Sequence, residues 1–449
     1  MKKVSIVGLG FVGFPTFLIL SNIKKNNKYL YEVEGIEKDN FKGREIKEKY
    51  SKSISWIKSE DKKFKNLFIK AKKRKESYIS NNLEGVKKSN IIIVSVNFEF
   101  KDNKRNSFKD LINLSDKLSK KINKKTLVIF ETTFPPGTCD KIIIPIFKKN
   151  LKKRKIKFED IYFCYSFERV MPGENYINSV TSNFRCYSGV NKKSKNICKK
   201  FLMTFVNYKK FKFSELKNII DCETAKILEN SYRATNIALI DEWTKISKYL
   251  KIDLNKIIEA IRLRNTHSNL MWPGLGVGGY CLTKDPNFIK ISSKKFFKVN
   301  SNFPLVSKSI DINKKMYNTS LEYIKSKVHN LKNKKILICG LSYKNDTSDT
   351  RFSPTFDLIS GIKSLGGKIH VYDPYQLSQN NNFSNLKLIN KFNKNFNLII
   401  FCVAHKYFKK LRLKNLKNQI IFDLNRVLTE NQKKILLKNK TKYYCLGSN

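Results

Sequence analysis

The residues with the clearest chemical potential lie in the segment Gly274–Pro286. Cys281 follows a run that contains four glycines and comes just before the pair Lys284 and Asp285. Glycine lets a backbone approach a ligand closely, and a thiol becomes a nucleophile when a nearby cation or base favours its thiolate. The segment therefore predicts covalent catalysis by Cys281. The alternative is a tight turn beside a buried cysteine, because cysteine is among the most often buried residue types.

A second candidate pair is Lys226 and Asn230, which lie four residues apart in a stretch with helical periodicity. Residues with this spacing share one face of a helix. A buried ammonium group and an amide on one face can stabilise a developing oxyanion. The alternative is a solvent-facing lysine, since most of the 90 Lys and Arg residues are lysines spread along the chain.

Polar residues also follow two predicted strands. Thr133 comes shortly after the apolar run 126–130, and Glu168 comes shortly after the run 161–165. Ligands in open α/β sheets bind at the carboxyl ends of strands. A hydroxyl and a carboxylate at two such ends predict a site arranged around a water molecule, unless both segments are simple turns.

The elements that must position these residues begin at the N-terminus. An apolar run at 4–7 predicts a strand, the run 17–20 predicts a helix, and a glycine turn lies between them. We expect this turn to bind the diphosphate of a dinucleotide through Gly8, Gly10, Phe11, Val12 and Gly13. The alternative is a turn that serves helix–strand packing alone.

Glu37 ends the next predicted strand. Its distance along the chain from the glycine turn is close to the separation of about 20 residues at which dinucleotide-binding folds place an acidic residue. A carboxylate at this position accepts bonds from the ribose hydroxyls and repels a 2′-phosphate, so it favours NAD over NADP. The neighbouring Lys38 weakens that preference.

A second strand-to-turn signal lies at 335–340. Pro354 suits the first turn of the helix that follows. Lys344 and Arg351 lie between the strand and this helix, where they are predicted to hold a diphosphate. Surface charge is the alternative interpretation of the two cations.

The alternation of strands with lysine-rich helical segments predicts an α/β protein with two Rossmann-like, doubly wound parallel sheets joined by a central helical domain. The predicted domains are 1–210, 211–312 and 313–449. The lysine-rich segments 70–75 and 152–157 are expected to face solvent.

Composition narrows the functional classes. The 449 residues carry a formal net charge of +53, but the lysines form no single stripe, so we expect no nucleic-acid partner. Nine cysteines without CxxC spacing indicate reduced thiols, and four scattered histidines indicate no metal site. Glycines interrupt the apolar N-terminal run, and no other apolar run is long enough to span a bilayer. The sequence therefore predicts a cytoplasmic protein with no membrane partner.

These segments, in this order, closely resemble the UDP-glucose/GDP-mannose dehydrogenase family over essentially the whole chain. The matching segments are 8–15, 131–138, 167–173, 223–239, 274–286, 347–354 and 372–374. The resemblance implies an NAD-binding N-terminal domain, a central helical domain that forms a homodimer, and a C-terminal domain that binds the nucleotide-sugar.

The resemblance also implies an activity and a role for each residue. Two NAD molecules in succession oxidise C6 of a nucleotide-linked hexose to a carboxylate, through a thiohemiacetal and then a thioester on Cys281. The roles implied for the other catalytic residues are oxyanion stabilisation by Lys226 and Asn230, assistance to the attacking water by Asp285 and Thr133, and thioester hydrolysis by Glu168. Substrate contacts are implied for Glu168, Lys226, Asn230, Lys344 and Arg351, and Thr133 is also expected to contact the cofactor.

The signals for the sugar conflict. The segment 280–285 resembles the UDP-glucose and GDP-mannose branches, whereas the segments that contain Asn269 and Gly278 resemble the UDP-N-acetylhexosamine branch. We expect both of these residues to contact substrate and a UDP-hexose such as UDP-glucose to be oxidised. A UDP-N-acetylhexosamine or GDP-mannose is the alternative substrate.

Two other points stay open in the sequence. The segment 96–99 stands where relatives carry a Pro-Thr-Pro turn, so cofactor contacts there are in doubt, and Arg262, Arg264 and His267 have no assigned role. Two rival functions also remain. One is an NAD dehydrogenase that transfers a single hydride without a covalent intermediate, and the other is a basic binding protein that retains the fold alone.

Overall fold

The computed structural model describes residues 1–57, 59–99, 108–376, 386–414, 416 and 418–448. The chain forms two compact units. The first comprises Met1–Leu228 with Phe288–Ser301, and the second comprises Glu229–Asn287 with Asn302–Asn449.

The first unit is built on an eight-stranded sheet. In spatial order its strands are β10 (Phe213–Glu215), β9 (Arg185–Gly189), β8 (Tyr162–Tyr165), β7 (Leu127–Phe130), β6 (Ile91–Val94), β1 (Lys2–Val7), β4 (Tyr31–Ile36) and β5 (Ser77–Ser80). A separate hairpin consists of β2 (Lys24–Lys25) and β3 (Lys28–Tyr29).

Both faces of this sheet are buried, which explains the unbroken apolar runs of its central strands. In β6, for example, Ile91 and Ile93 pack into the core on one face, and Ile92 and Val94 pack into the core on the other. The prediction of parallel strands needs one correction, because β8 and β9 pair antiparallel. The other pairs of the sheet are parallel.

Helices cover the two faces of the sheet. They are α1 (Gly13–Asn22), α2 (Phe41–Ser51), α3 (Lys62–Lys72), α4 (Lys109–Ser119), α5 (Ile144–Lys153), α6 (Tyr176–Thr181), α7 (Lys192–Leu202), the start of α8 (Ile219–Leu250) and α11 (Phe288–Phe296). The expectation that segment 70–75 faces solvent is wrong for Arg74. Its guanidinium is buried, donates to the carbonyls of Ser21 and Tyr31, and lies over the ring of Tyr29.

The second unit contains the rest of α8 and a six-stranded parallel sheet. In spatial order the strands are β13 (Lys387–Leu388), β12 (Lys368–Tyr372), β11 (Lys335–Cys339), β14 (Leu398–Phe401), β15 (Ile420–Asp423) and β16 (Lys442–Cys445). Its other helices are α9 (Leu254–Arg262), α10 (Cys281–Lys284), α12 (Pro304–Lys327), α13 (Pro354–Ser364), α14 (Lys406–Lys409) and α15 (Glu430–Lys438).

The predicted α/β fold is confirmed: the first unit holds the eight-stranded sheet, the second holds the six-stranded parallel sheet, and the long helices α8 and α12 lie between them along the chain. Three strands of the first sheet, β5, β9 and β10, had no signal in the sequence analysis because they are short and mostly polar. The division at 210 and 312 stays a prediction.

Candidate active site

The turn after β1 depends on two of its glycines. Gly8 has a φ of +92°, which favours glycine, and a Cβ on Gly13 would lie 1.9 Å from the carbonyl oxygen of Gly8. Gly10 differs from both, because a Cβ there would meet no other protein atom within 4 Å. The turn leads directly into α1, and the first N–H groups of a helix have no acceptor within the helix.

Glu37 lies beside this turn. Strands β1 and β4 pair in parallel with Val7 opposite Ile36, so the turn and Glu37 leave the same edge of the sheet. The Glu37 carboxylate accepts a hydrogen bond from the N–H of Leu9, whereas the ammonium of Lys38 lies 3.3 Å from Asp110. An open glycine turn at a helix start, with an acid at the next strand end, fits the diphosphate and ribose of NAD.

A buried ion pair fixes the end of β7, just before Thr133. Arg185 Nη1 lies 2.7 Å from Glu131 Oε1, both side chains are buried, and Ser95 Oγ donates to the other carboxylate oxygen at 3.2 Å. Burial raises the pKa of Glu131, and the nearby Arg185 charge opposes that rise. Thr133 itself is half-buried.

A second buried acid holds the loop that follows Thr133. The carboxylate of Glu223, on α8, accepts hydrogen bonds from the N–H groups of Gly137 at 2.6 Å and Cys139 at 2.9 Å. Burial raises the pKa of Glu223 to about 7, although these hydrogen bonds oppose the rise. Neither Glu223 nor Glu131 carries a sign of this role in the sequence, since only their long-range partners reveal one.

Lys226 follows Glu223 by one turn of α8 and is buried, so it is not one of the solvent-facing lysines. Its Nζ donates to the carbonyl of Glu168 at 2.8 Å and lies 5.4 Å from the centre of the Phe167 ring. The Glu168 carboxylate accepts from the N–H of Val170. The first unit thus brings Lys226 and Glu168 together.

A second group of predicted site residues lies in the second unit. Asn230 Nδ2 donates to Asp285 Oδ2 at 2.9 Å, and Lys284 Nζ lies 3.3 Å from Asp285 Oδ1. Asn230 and Asp285 are both buried. Lys226 and Asn230 are one turn apart on the continuous helix α8, which confirms that they share a helix face.

Cys281 is the first residue of α10, and its side chain is exposed. The structure describes all nine cysteines of the chain. Seven of them are buried, Cys186 is half-buried, and Cys281 is the exposed one. The alternative of a buried cysteine beside a turn is therefore wrong.

The glycines before Cys281 pack on the loop that follows β11. A Cβ on Gly278 would lie 2.5 Å from Tyr343 Cβ and 2.6 Å from the carbonyl oxygen of Phe352. Gly279, with a φ of +76°, donates its N–H to the carbonyl of Arg351 at 2.9 Å. Burial raises the pKa of Tyr343 to about 12. The thiol loop and the predicted diphosphate loop are thus in direct contact.

The two cations of the diphosphate loop have different surroundings. Arg351 pairs with Asp349, with Nε 2.8 Å from Oδ1, and its guanidinium lies 4.6 Å from the centre of the Tyr280 ring. Burial and the nearby positive charge of Arg233 lower the pKa of Lys344. Arg233 lies on the face of α8 that carries Lys226 and Asn230. The sequence analysis assigned Arg233 no role, although its helical spacing from Asn230 was visible.

The segment before the thiol loop lies on the surface. Asn269 is exposed and donates to the hydroxyl of Tyr232 at 2.9 Å. Arg262 donates to the carbonyl of Leu270 and lies over the ring of Trp272 at 5.2 Å. The roles predicted for the individual site residues, Asn269 and Gly278 among them, stay predictions.

Two classes of site are absent from the part of the chain that the structure describes. In that part of the chain, no group of three or more His, Cys, Asp or Glu residues is arranged to hold a metal ion. The same residues include no helix with the length and apolar character that crossing a bilayer requires.

The fold and the glycine turn define an α/β protein of the dinucleotide-binding class. Comparisons with known proteins agree, since three models of the UDP-glucose/GDP-mannose dehydrogenase family match the chain. They are the NAD binding domain at residues 2–206, the central domain at 221–315 and the UDP binding domain at 337–430.

Individual relatives match over nearly the full length. A UDP-N-acetyl-D-mannosamine dehydrogenase of Methanocaldococcus jannaschii is 30% identical and covers 99% of this chain and 96% of its own. The enzyme of the same name from Methanococcus aeolicus is 29% identical and covers 96% of this chain and 92% of its own. A solved structure of a Pyrococcus horikoshii UDP-D-ManNAc dehydrogenase has a TM-score of 0.79 at 23% identity and covers 99% of both chains.

The chain therefore belongs to the UDP-glucose/GDP-mannose dehydrogenase family, with all three domains present. It is an NAD-dependent nucleotide-sugar dehydrogenase of that family.

Proposed function

We propose that the protein oxidises the C6 alcohol of a UDP-N-acetylhexosamine, UDP-N-acetyl-D-mannosamine first among them, to the carboxylate. Two full-length relatives carry that substrate in their names. The names of these relatives favour a UDP-N-acetylhexosamine, which the sequence offers as the alternative substrate, over UDP-glucose, which is the main expectation from the sequence. The observation on which the proposed mechanism depends is the exposed thiol of Cys281 on a loop that packs against the diphosphate loop.

Covalent catalysis explains why a thiol is needed. The Cys281 thiolate adds to the C6 aldehyde that the first oxidation leaves, which forms a C–S bond and a thiohemiacetal. Loss of a hydride from C6 gives a thioester, and attack by water breaks the C–S bond and returns the thiol. NAD, when bound, accepts the hydride in each oxidation.

The other predicted site residues are assigned to the stabilisation and orientation of these species. An ammonium has three N–H donors, and Lys226 uses one on the carbonyl of Glu168. We assign Lys226 and Asn230 to the oxyanion, an interaction typically worth about 3–4 kcal/mol per donor. Asp285 accepts a hydrogen bond from Asn230. We assign Asp285 and Thr133 to the orientation of the attacking water, and Glu168 to thioester hydrolysis.

Lys344 and Arg351 bind the diphosphate in this proposal. Release of Arg351 from Asp349 would let its planar guanidinium form paired hydrogen bonds with phosphate oxygens. Arg233 adds a third positive charge near Lys344.

We also propose that the protein is a homodimer through α8. Tyr232, Leu239, Ile246 and Leu250 are exposed, and their spacing places them on one face of the helix. Such an apolar stripe is expected to pack against a second copy. Light scattering should show a dimer for the wild type and a monomer for Leu239→Glu/Ile246→Glu. An unchanged mass for that variant would contradict this interface.

The test of the activity is the stoichiometry of NADH. UDP-N-acetylmannosamine, UDP-N-acetylglucosamine, UDP-glucose, UDP-galactose and GDP-mannose are assayed in parallel, and we expect two NADH per sugar with the first. Cys281→Ser should lose net oxidation to the acid, with Cys186→Ser as the control that leaves it intact. One NADH per sugar with an active Cys281→Ser variant would favour the single-hydride rival. No NADH with any sugar, together with salt-sensitive DNA binding, would favour the binding protein.

A further inference from the structure

Two side chains from outside the strand–turn–helix unit bind the backbone of the glycine turn. The indole Nε1–H of Trp56 donates to the carbonyl of Leu9 at 2.9 Å. The hydroxyl of Tyr176 donates to the carbonyl of Phe11 at 2.5 Å. Trp56 precedes α3 and Tyr176 begins α6, so both donors come from later parts of the first unit.

These two bonds complete a pattern. The carbonyl of Gly10 accepts from the N–H of Phe14 at 3.0 Å, and that of Val12 accepts from the Thr16 hydroxyl at 3.0 Å. Every carbonyl from Leu9 to Val12 is therefore bound by the protein itself.

The geometry of the peptide group gives this pattern a consequence. A trans peptide is planar, so its C=O and the N–H of the next residue point in opposite directions. Fixing the carbonyls of Leu9 and Phe11 therefore also fixes the directions of the N–H groups of Gly10 and Val12, away from Trp56 and Tyr176. These amides lie in the turn that fits the dinucleotide diphosphate, and Gly10 is the residue with open space around its Cβ position.

Both donors are held firmly. The Trp56 ring packs on buried Phe14, with centroids 3.9 Å apart, and fully buried Tyr176 stacks on Phe64 at 5.4 Å. The carboxylate of Asp61 accepts N–H groups from the first turns of both α3 and α6 and so joins the two segments that carry the donors.

We infer that Trp56 and Tyr176 are positioning residues for the cofactor: their hydrogen bonds to Leu9 and Phe11 orient the amides that bind the NAD diphosphate. The inference concerns the NAD binding domain and does not depend on which sugar is oxidised. The competing explanation is that the two side chains only stabilise the fold.

The test measures cofactor binding directly on the full-length protein. Tyr176→Phe removes one hydroxyl and keeps the ring that stacks on Phe64. The matched control is Tyr31→Phe, since Tyr31 is also buried, donates its hydroxyl to Thr204 at 3.1 Å and lies at the end of β4 far from Glu37. Dissociation constants for NADH and for ADP-ribose are measured by calorimetry, and melting temperatures are recorded for each variant.

We expect Tyr176→Phe to weaken the binding of NADH and of ADP-ribose by the same factor. The expected factor is about 5-fold, which corresponds to the loss of one net hydrogen bond. Tyr31→Phe should lower the melting temperature similarly and leave both constants unchanged. Trp56→Phe, which removes the indole donor and keeps an aromatic ring over Phe14, should repeat the Tyr176→Phe result even if Tyr176→Phe folds poorly. Unchanged constants in Tyr176→Phe or in Trp56→Phe would overturn the inference, and equal weakening in Tyr31→Phe would show that stability alone is responsible.

Discussion

The buried carboxyl of Glu223 makes the stability of the first unit depend on pH in a defined direction. Burial raises its pKa from 4.5 to about 7 in the folded protein. An acid whose folded pKa lies above its unfolded value binds more protons when folded, so its contribution is most favourable below pH 4.5. This favourable contribution is lost as the pH rises from 4.5 towards 7. Above about pH 7, Glu223 no longer makes the unfolding free energy depend on pH.

The magnitude follows from the two pKa values. Linkage gives a cost to the folded state of about 1 kcal/mol at pH 5 and about 3 kcal/mol at pH 8. Glu223→Gln keeps an acceptor for the N–H of Gly137 or Cys139 and cannot ionise. The unfolding free energy of the variant relative to the wild type should therefore rise by roughly 2 kcal/mol from pH 5 to pH 8.

The assay uses the tryptophans, of which the chain has three. Trp56 is the one that lies in the first unit. In a Trp243→Phe/Trp272→Phe background, urea unfolding followed by fluorescence reports on that unit. Glu159→Gln, at an exposed carboxylate of the same unit, should show no pH-dependent difference. A constant difference between wild type and Glu223→Gln across pH 5–8 would refute the argument from burial.

Three further substitutions test other parts of the structure. Gly10→Ala meets no protein atom and should leave the unfolding free energy unchanged or raise it by up to about 1 kcal/mol, while NADH binding measured by fluorescence weakens at least about tenfold; normal NADH binding would mean that the diphosphate lies elsewhere. Gly278→Ala forces the thiol loop away from the Tyr343 loop and should lower kcat/KM by about 100-fold, the usual effect of a displacement near 1 Å, and wild-type kinetics would argue against that loop contact. Arg185→Met leaves Glu131 buried without its cation and should cost about 3–5 kcal/mol in urea unfolding, most of which Arg185→Met/Glu131→Gln should restore.

The sequence predicts the elements that local chemistry specifies. The glycine turn, the acid at Glu37 and the central apolar strands have signals within a few residues, because backbone sterics and burial on both sheet faces dictate them. The antiparallel strand β9 could not be predicted in this way. Its direction depends on which edge of the sheet accepts it, and no local pattern encodes that choice.

The candidate site likewise contains residues with a local signal in the sequence and residues without one. Cys281, Lys226 and Asn230 were predicted from residue type and spacing. Glu223 was missed because its partner Gly137 is 86 residues away, so neither segment carries a sign of the contact. Burial of Arg74 was likewise invisible, since it lies in a lysine-rich segment that is otherwise typical of a solvated surface. The expectation of UDP-glucose rests on a few residues of one loop, whereas two full-length relatives carry UDP-N-acetyl-D-mannosamine in their names.

Gly278 and Gly279 pack closely against Tyr343 and Phe352, so under the proposed roles the loop that holds the diphosphate and the loop that carries Cys281 are in direct contact. The reach from the anchored phosphates to the hexose carbon is then set by the length of the bound molecule. A sugar 1-phosphate would lack the portion that fixes this length, and a ligand with an added phosphate would carry its terminal carbon past the sulfur. If these proposed roles hold, we expect selection by molecular length to follow from loop packing, independently of any contact with the sugar hydroxyls.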